Sequence, residues 1–354
     1  MSKAPRTVHA YASFGKHEEM KPWEYTSRPL GDGDVEIKIS HCGICGSDVH
    51  TVDSGWGPTT YPCVVGHEIV GHVTILGPNV KDLKIGDRVG VGAQVSACLS
   101  KDPAVCKECA SGSEAYCPHL VYTYNDTYKN DGVPTYGGYA DYVRVPHEFA
   151  FKIPDNIPSD LAAPLLCAGA TVYTPLLEAG VQPGKRVGVV GIGGLGHLGI
   201  QFATALGADA VVAFSRSATK EAEVRKLGAT EFVVYTDEKQ AEAAEKSVDV
   251  LLICANADNM PYMQFLSFVA VRGSCIMVGL PNDEIKFYAF GVVAKGLKFV
   301  GSSIGSIQNI KDMLQLASEK NVRPVIQKMP MSKVNDGVKL VRDGTVRYRV
   351  VLEN

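Results

Sequence analysis

Four cysteines fall within twenty residues of this chain: Cys98, seven residues, Cys106-Lys-Glu-Cys109, seven residues, Cys117. Four thiolates so close together suit a closed tetrahedral structural zinc, which ties down a loop too polar to pack by itself. A second group is dispersed. It comprises Cys42 and Cys45 in His41-Cys-Gly-Ile-Cys-Gly-Ser-Asp-Val-His50, His67 and Glu68 in Gly66-His-Glu-Ile-Val-Gly71, and Cys167 in Leu165-Leu-Cys-Ala-Gly169. Three ligands drawn from three segments leave a fourth position vacant, the arrangement that lets a catalytic zinc take water or substrate. Lone cysteines and histidines also serve in cores, and spacing alone leaves both readings open.

The third chemical signal is Gly191-Ile192-Gly193-Gly194-Leu195-Gly196, directly after the apolar run Arg186 to Val190. A G-x-G-x-x-G between a strand and a helix cradles a pyrophosphate. Gly191 permits the tight turn, Gly193 lets the backbone approach the phosphates, Gly196 allows close helix–strand packing, and the helix N-terminus offers free N–H groups. Cofactor choice is read at the end of the next strand, Ala210 to Phe214. An acid there would hydrogen-bond the ribose hydroxyls of NAD, but the chain reads Ser215-Arg216-Ser217-Ala218-Thr219-Lys220. Hydroxyls and the cations Arg216 and Lys220 suit a 2′-phosphate, so NADP is expected. The competing reading is that the two cations only solvate a helix start, although cations there oppose the helix dipole.

The elements that must position these groups divide into two textures. The first 150 residues read as short strands broken by glycine and proline, among them Val35 to Ile39, Ile69 to Ile75, Arg88 to Val91 and Ala140 to Val145. From about Asp160 strands and helices alternate. The order is a helix Asp160 to Glu178, a strand Arg186 to Val190, a helix Gly194 to Leu206, a strand Ala210 to Phe214, a helix Lys220 to Leu227, strands Phe232 to Tyr235 and Val248 to Cys254, a helix Met260 to Val269 and a strand Cys275 to Val278. That alternation predicts a doubly wound parallel sheet with right-handed crossovers. After Phe299 come a helix Ile307 to Glu319 and strands around Val325 to Pro330 and Tyr348 to Leu352, a tail able to complete either domain. The expected division is an irregular, mostly β domain from 1–158 and 302–354, and a Rossmann dinucleotide-binding domain from 159–301.

Composition narrows the class. With 354 residues, 45% hydrophobic and 21% charged, the chain reads as a two-domain globular protein. A net charge of −3 gives no basic field for nucleic acid. Met1 to Ala12 lacks the apolar run of a secretory signal and no stretch of eighteen apolar residues occurs, so no membrane association and a cytoplasmic location are expected. Ten cysteines in a reducing compartment point to metal rather than disulfides.

Together, Gly43-Ile-Cys45-Gly-Ser-Asp48, Gly66-His-Glu68, the four-cysteine loop and the Gly191 motif resemble the zinc-containing medium-chain alcohol dehydrogenases over nearly the whole chain. Ala163-Pro-Leu-Leu-Cys-Ala-Gly-Ala-Thr-Val-Tyr173, Ser215-Arg216 and Val346-Arg-Tyr-Arg349 look like the cinnamyl alcohol dehydrogenase branch, especially its fungal NADP-dependent members of broad aldehyde specificity. The resemblance implies a GroES-like catalytic domain beside the Rossmann domain. It implies a catalytic zinc on Cys45, His67 and Cys167, with Glu68 an occasional fourth ligand and Cys42 no ligand. It implies a proton relay from Ser47 through the nicotinamide ribose to His50, and further cofactor contacts at Gly46, Thr171, Ile192, Gly194, Leu195, Cys254, Asn256, Ser302, Ile304 and Arg349. The family's structural loop has two residues between its first and second cysteines where this chain has seven, so Cys98 must be returned to the others by a bulge carrying Asp102 and Pro103.

The resulting expectation is an NADP-dependent enzyme with two zinc ions, interconverting small alcohols and aldehydes. Trp56, Tyr61 and Tyr124 are candidate pocket walls suited to aromatic or medium-chain substrates. The alternatives are a polyol dehydrogenase, which would favour an acid at Ser215, and a non-catalytic NADP-binding structural or redox-sensing protein. A homodimer is implied by the family, with the apolar strand Lys298 to Gly301 a candidate for pairing across a twofold.

Overall fold

The computed structural model describes residues 4–282 and 284–354. Two compact units emerge. One comprises Met1–Cys167, Ile304–Ser318 and Pro324–Asn354, and the other Ala168–Ser303 with Glu319–Arg323.

The first unit is organised by the long strand Asp34–Ile44. Val35, Ile37 and Ile39 alternate along it and are buried in the core, while on the alternate positions Glu36 is buried against Arg144 and Lys38 is exposed. Glu68–Leu76, Tyr142–Pro146 and Arg349–Glu353 all pair antiparallel with it, in a seven-stranded sheet that also takes Arg88–Val91, Phe151–Lys152 and Ile326–Pro330. The C-terminal tail therefore completes this unit. Its last strand sets Val350 opposite Ile44, and Ile326–Pro330 runs parallel beyond it.

The second unit is a six-stranded sheet, parallel throughout. Counted from Arg186–Val190, the strands lie in the spatial order third, second, first, fourth, fifth, sixth. That is the doubly wound dinucleotide-binding order, with its switch point between the first and fourth strands. Val187, Val189, Val190, Val212, Ala213, Phe214, Leu251 and Leu252 are fully enclosed, as strands covered on both faces must be.

The stretch expected as one helix, Asp160 to Glu178, is instead broken. A short helix Ser159–Ala162 passes into a 3-10 turn Ala163–Leu166, and a helix Ala168–Glu178 follows. Pro164 lies in the 3-10 turn, and Cys167, with φ −120° and ψ −71°, stands at the break outside helical geometry. Among the described residues no single helix is long and apolar enough to cross a membrane.

Candidate active site

The break at Cys167 has a chemical consequence, because it frees that side chain to face Cys45, His67 and Glu68. The ligand atoms of these four residues lie within 4.8 Å of one another. Cys45 Sγ is 3.8 Å from Cys167 Sγ, and His67 Nε2 is 3.0 Å from Cys167 Sγ. Two thiolates on one tetrahedral zinc, each at about 2.3 Å, stand about 3.8 Å apart, so the pair already has the spacing a zinc ion requires. All four residues are buried. Cys42 lies outside the cluster, its thiol against the backbone of Gly43.

Two of the ligand-bearing segments are held from behind. Cys45 caps the helix Gly46–Val52, and the third residue of that helix, Asp48, turns back into the protein. Asp48 is completely enclosed. Its Oδ2 accepts the Cys45 N–H at 2.7 Å and the Tyr139 hydroxyl at 3.1 Å, while Oδ1 accepts the Gly66 N–H at 3.1 Å and lies 3.2 Å from His67 Nδ1. One carboxylate therefore orders two of the three ligand-bearing segments. Tyr124 adds its hydroxyl 2.9 Å from His67 Nδ1. With Nδ1 facing a carboxylate and a phenol, the imidazole holds its proton there and turns the Nε2 lone pair toward the thiols, the tautomer a metal ion needs. Sequence reasoning did not single out Asp48, although an acid three residues after a helix cap was a readable signal. Tyr124, expected as a pocket wall, is 8% exposed and supports His67 instead.

Gly66 is required here. Its φ is +104°, and a Cβ would meet the Tyr139 ring at 2.6 Å and Cys42 Sγ at 2.8 Å.

The acidic groups of the cluster are strongly perturbed by burial and by one another. The Cys45 thiol is held well below its usual range, first by its hydrogen bond with Cys167 and, against burial, by Arg349 and His67. Cys167 is pushed up by sharing that bond and by burial. Burial pushes the Glu68 carboxyl up to about 7, against the pull of Arg349, whose Nη2 bonds Glu68 Oε1. Glu68 Oε2 has no hydrogen-bond partner, leaving one buried carboxylate oxygen free for a metal. The donor set and its spacing fit zinc.

Ser47 and His50 lie on the helix that Cys45 caps. Ser47 Oγ is 3.6 Å from Cys45 Sγ, and the His50 ring, half-exposed, stacks on Trp56 with centroids 4.4 Å apart and an 11° tilt. Tyr61 is anchored by its hydroxyl to the Val52 carbonyl at 2.7 Å.

The four-cysteine group also assembles, with Sγ atoms within 4.8 Å of one another. Cys98 is 3.6 Å from Cys109 and 3.7 Å from Cys117, and Cys106 is 3.8 Å from Cys117. The longer spacing before Cys106 is absorbed by a turn. The Asp102 carbonyl accepts the N–H groups of Val105 and Cys106, its carboxylate accepts that of Ala104, and Leu99 takes a positive φ of +50°. Backbone N–H groups of Cys109 and His119 point at Cys106 and Cys117 sulfur at 3.4 and 3.3 Å, an arrangement suited to thiolates.

In the second unit the glycine motif has the geometry its spacing predicts. Gly191 has φ +87°, a Cβ on Gly196 would stand 2.1 Å from the Gly191 carbonyl oxygen, and a Cβ on Gly193 would meet nothing within 4 Å. Ile192, Gly194 and Leu195 complete this turn before the helix Gly196–Ala205. The turn and the segment Cys254 to Asn256 flank the switch point, joined by the Cys254 N–H to Val190 carbonyl bond of 2.9 Å. Lys220 Nζ bonds the Ile192 carbonyl at 2.5 Å, which draws one cation to the glycine turn, while Ser215 ends its strand and Arg216 is exposed. Thr171 is half-buried on its helix, and Ser302 Oγ is buried without a hydrogen-bond partner. The remaining expected cofactor residues, Gly46, His50, Ile304 and Arg349, belong to the first unit. Arg349 is buried there against Glu68.

Residues 31–155 match the alcohol dehydrogenase GroES-like domain, and residues 194–319 the zinc-binding dehydrogenase family. A mannitol dehydrogenase of Petroselinum crispum is 39% identical over 94% of this chain and 97% of its own length. Among solved structures, a cinnamyl alcohol dehydrogenase of Sorghum bicolor superposes with a TM-score of 0.93 at 37% identity, covering 98% of each chain. One from Helicobacter pylori, complexed with NADP(H), superposes at 0.88 with 30% identity over 99% of this chain and 98% of that one. The chain belongs to the zinc-containing medium-chain alcohol dehydrogenases, in their cinnamyl alcohol dehydrogenase branch.

Proposed function

We propose that this alcohol dehydrogenase is a cytosolic, NADP-dependent enzyme with two zinc ions per chain, interconverting primary alcohols with aromatic or medium-chain aliphatic aldehydes. The observation that carries the cofactor half is the cation set at the end of the second strand of the nucleotide unit. Arg216 and Lys220 stand there with Ser215, Ser217 and Thr219, and no acid. Lys220 Nζ also bonds the Ile192 carbonyl, which sets a cation beside the glycine turn. The Helicobacter relative's complex with NADP(H) supports the same choice.

When bound, zinc on Cys45, His67 and Cys167 would polarise a carbonyl oxygen and the reduced nicotinamide would supply hydride. The protein's own share is positional. Asp48 and Tyr124 fix the His67 tautomer. In this reading Ser47 would hand a proton to the developing alkoxide and His50 would exchange it with solvent, a role supported by Ser47 Oγ lying 3.6 Å from Cys45 Sγ and by the half-exposed His50 ring. The exposed indole of Trp56 offers a flat apolar wall near His50, suited to an aromatic substrate.

A polyol substrate is the second reading, favoured by the name of the Petroselinum relative. A panel of cinnamaldehyde and octanal reduced with NADPH or NADH, beside oxidation of mannitol and xylitol with NADP or NAD, decides between them. Aldehyde turnover with NADPH at a kcat/KM well above that with NADH is expected. Polyol oxidation with NAD as the best activity overturns the proposal.

We also propose a homodimer paired through Lys298–Gly301. This edge strand is exposed along its whole length, and Val271, Tyr288, Phe290 and Val293 are exposed in the same unit. An unpaired apolar edge is a template for a second copy.

A further inference from the structure

Cys98 differs from its three partners in access. Cys106, Cys109 and Cys117 are buried, whereas Cys98 is the one exposed cysteine of the ten, since Cys42, Cys45, Cys63, Cys167 and Cys275 are buried and Cys254 is intermediate. It stands at the root of the turn 99–105, which is built from its own groups. The Asp102 N–H bonds Ser100 Oγ at 3.1 Å, and the Ala104 N–H bonds Asp102 Oδ1 at 2.8 Å. These bonds are local to the turn, and none of them covers the Cys98 sulfur.

Thiolate oxidation is governed by thiolate character and by access. A zinc ion keeps all four sulfurs deprotonated, so within the cluster access becomes the discriminating factor. A second sulfur, that of Cys109, waits 3.6 Å away.

We propose that Cys98 is a peroxide-sensitive modification site whose oxidation unloads the four-cysteine cluster. The inference rests on reading that cluster as a zinc site. In the first step the Cys98 thiolate attacks one oxygen of hydrogen peroxide; a sulfur–oxygen bond forms, the oxygen–oxygen bond breaks and hydroxide leaves. In the second, the Cys109 thiolate attacks the sulfenic sulfur, a disulfide forms and a second hydroxide leaves. The sulfur pair loses two electrons and the peroxide gains them. Cys106 and Cys117 are left as two ligands where zinc needs four, and the ion departs. A dithiol reductant with added zinc reverses the change.

The test uses the purified holoenzyme. Zinc is counted first; protein is then treated with about one equivalent of peroxide in the presence of dimedone or without it, followed by peptide mass spectrometry and a chromogenic zinc chelator. The expected result is two zinc ions before treatment, dimedone on Cys98 at about tenfold or more over any other cysteine, a Cys98–Cys109 disulfide without dimedone, and release of one of the two ions. A count below two overturns the zinc reading and this inference with it. Two ions with first labelling at Cys45, Cys167 or Cys254, or with no release, overturns this inference alone. A Cys98→Asp variant keeps an oxygen ligand for zinc and should slow peroxide-driven release by about tenfold. If that variant binds no zinc, the wild-type mass spectrum decides.

Discussion

Asp48 Oδ1 lies 3.2 Å from His67 Nδ1, and the same carboxylate accepts the N–H groups of Cys45 and Gly66. Two metal-ligand segments far apart in sequence are thus registered by one buried side chain. Replacing Asp48 with Asn keeps the shape but turns one oxygen into a donor facing donors and removes the charge opposite His67. Zinc affinity at the Cys45 site should fall by about 10–100-fold. Release into a chelator should become biphasic, the four-cysteine ion leaving as it does in the wild type. Release at wild-type rates from both sites would show that Asp48 is only packing.

The two cations beyond Ser215 should separate experimentally. Arg216 is exposed at the end of its strand, so on the NADP proposal Arg216→Ala should weaken NADPH by about one to two decades and leave NADH nearly unchanged. Lys220 also bonds the Ile192 carbonyl. Lys220→Ala should therefore weaken both cofactors, NADPH more. Fluorescence titration with each nucleotide checks the pair, and equal losses of NADPH and NADH in Arg216→Ala would contradict the NADP proposal.

The glycines of the pyrophosphate turn make a sharper contrast. At Gly193 a Cβ meets nothing, whereas at Gly196 it stands 2.1 Å from the Gly191 carbonyl oxygen. Gly193→Ala should leave the melting temperature of the cofactor-free protein almost unchanged, within about 0.5 kcal/mol of stability, yet weaken dinucleotide binding because the methyl occupies the approach of the phosphates. Gly196→Ala should lower both stability and binding. Calorimetry on the free proteins beside nucleotide titration separates the two effects.

Which of these features could be read from the sequence follows from the range of the interactions involved. The strand–glycine–helix unit at Arg186 to Ala205 was legible because its constraints are local: an apolar strand, a turn needing positive φ at Gly191, and a close approach at Gly196. The Cys98 to Cys117 cluster was legible for the same reason, although the turn around Asp102 that closes it was visible only as an insertion. The dispersed cluster was not legible from spacing, since its geometry depends on a break at Cys167 inside what reads as one helical stretch. Asp48 escaped because its partners come from segments at Cys45, Gly66 and Tyr139. The helix Val334–Arg342 had no expectation set against it, and Asn335, Asp336 and Gly337 near its start are weak helix formers; Gly337 lets the helix press on Ile44, where a Cβ would come within 2.6 Å of its Cδ1. Tertiary packing overrides local propensity at such places.

Arg349 and Glu68 give the last prediction, because they separate two roles for one residue. Resemblance assigns Arg349 to the cofactor, whereas the structure sets its guanidinium on Glu68, with both side chains buried. Breaking a buried pair from one side leaves an uncompensated charge, at about 3–5 kcal/mol, whereas removing both charges is close to neutral. Arg349→Met should therefore lower the unfolding midpoint of the cofactor-free protein, and the double variant Arg349→Met, Glu68→Gln should recover most of it. Nucleotide affinity is measured on the same proteins. If the single variant keeps its stability and loses only NADPH binding, Arg349 serves the cofactor and the pair with Glu68 is incidental. If stability falls and the double variant restores it, while NADPH binding stays low in both, the residue does two jobs: it balances a buried carboxylate beside the metal ligands and contacts the nucleotide.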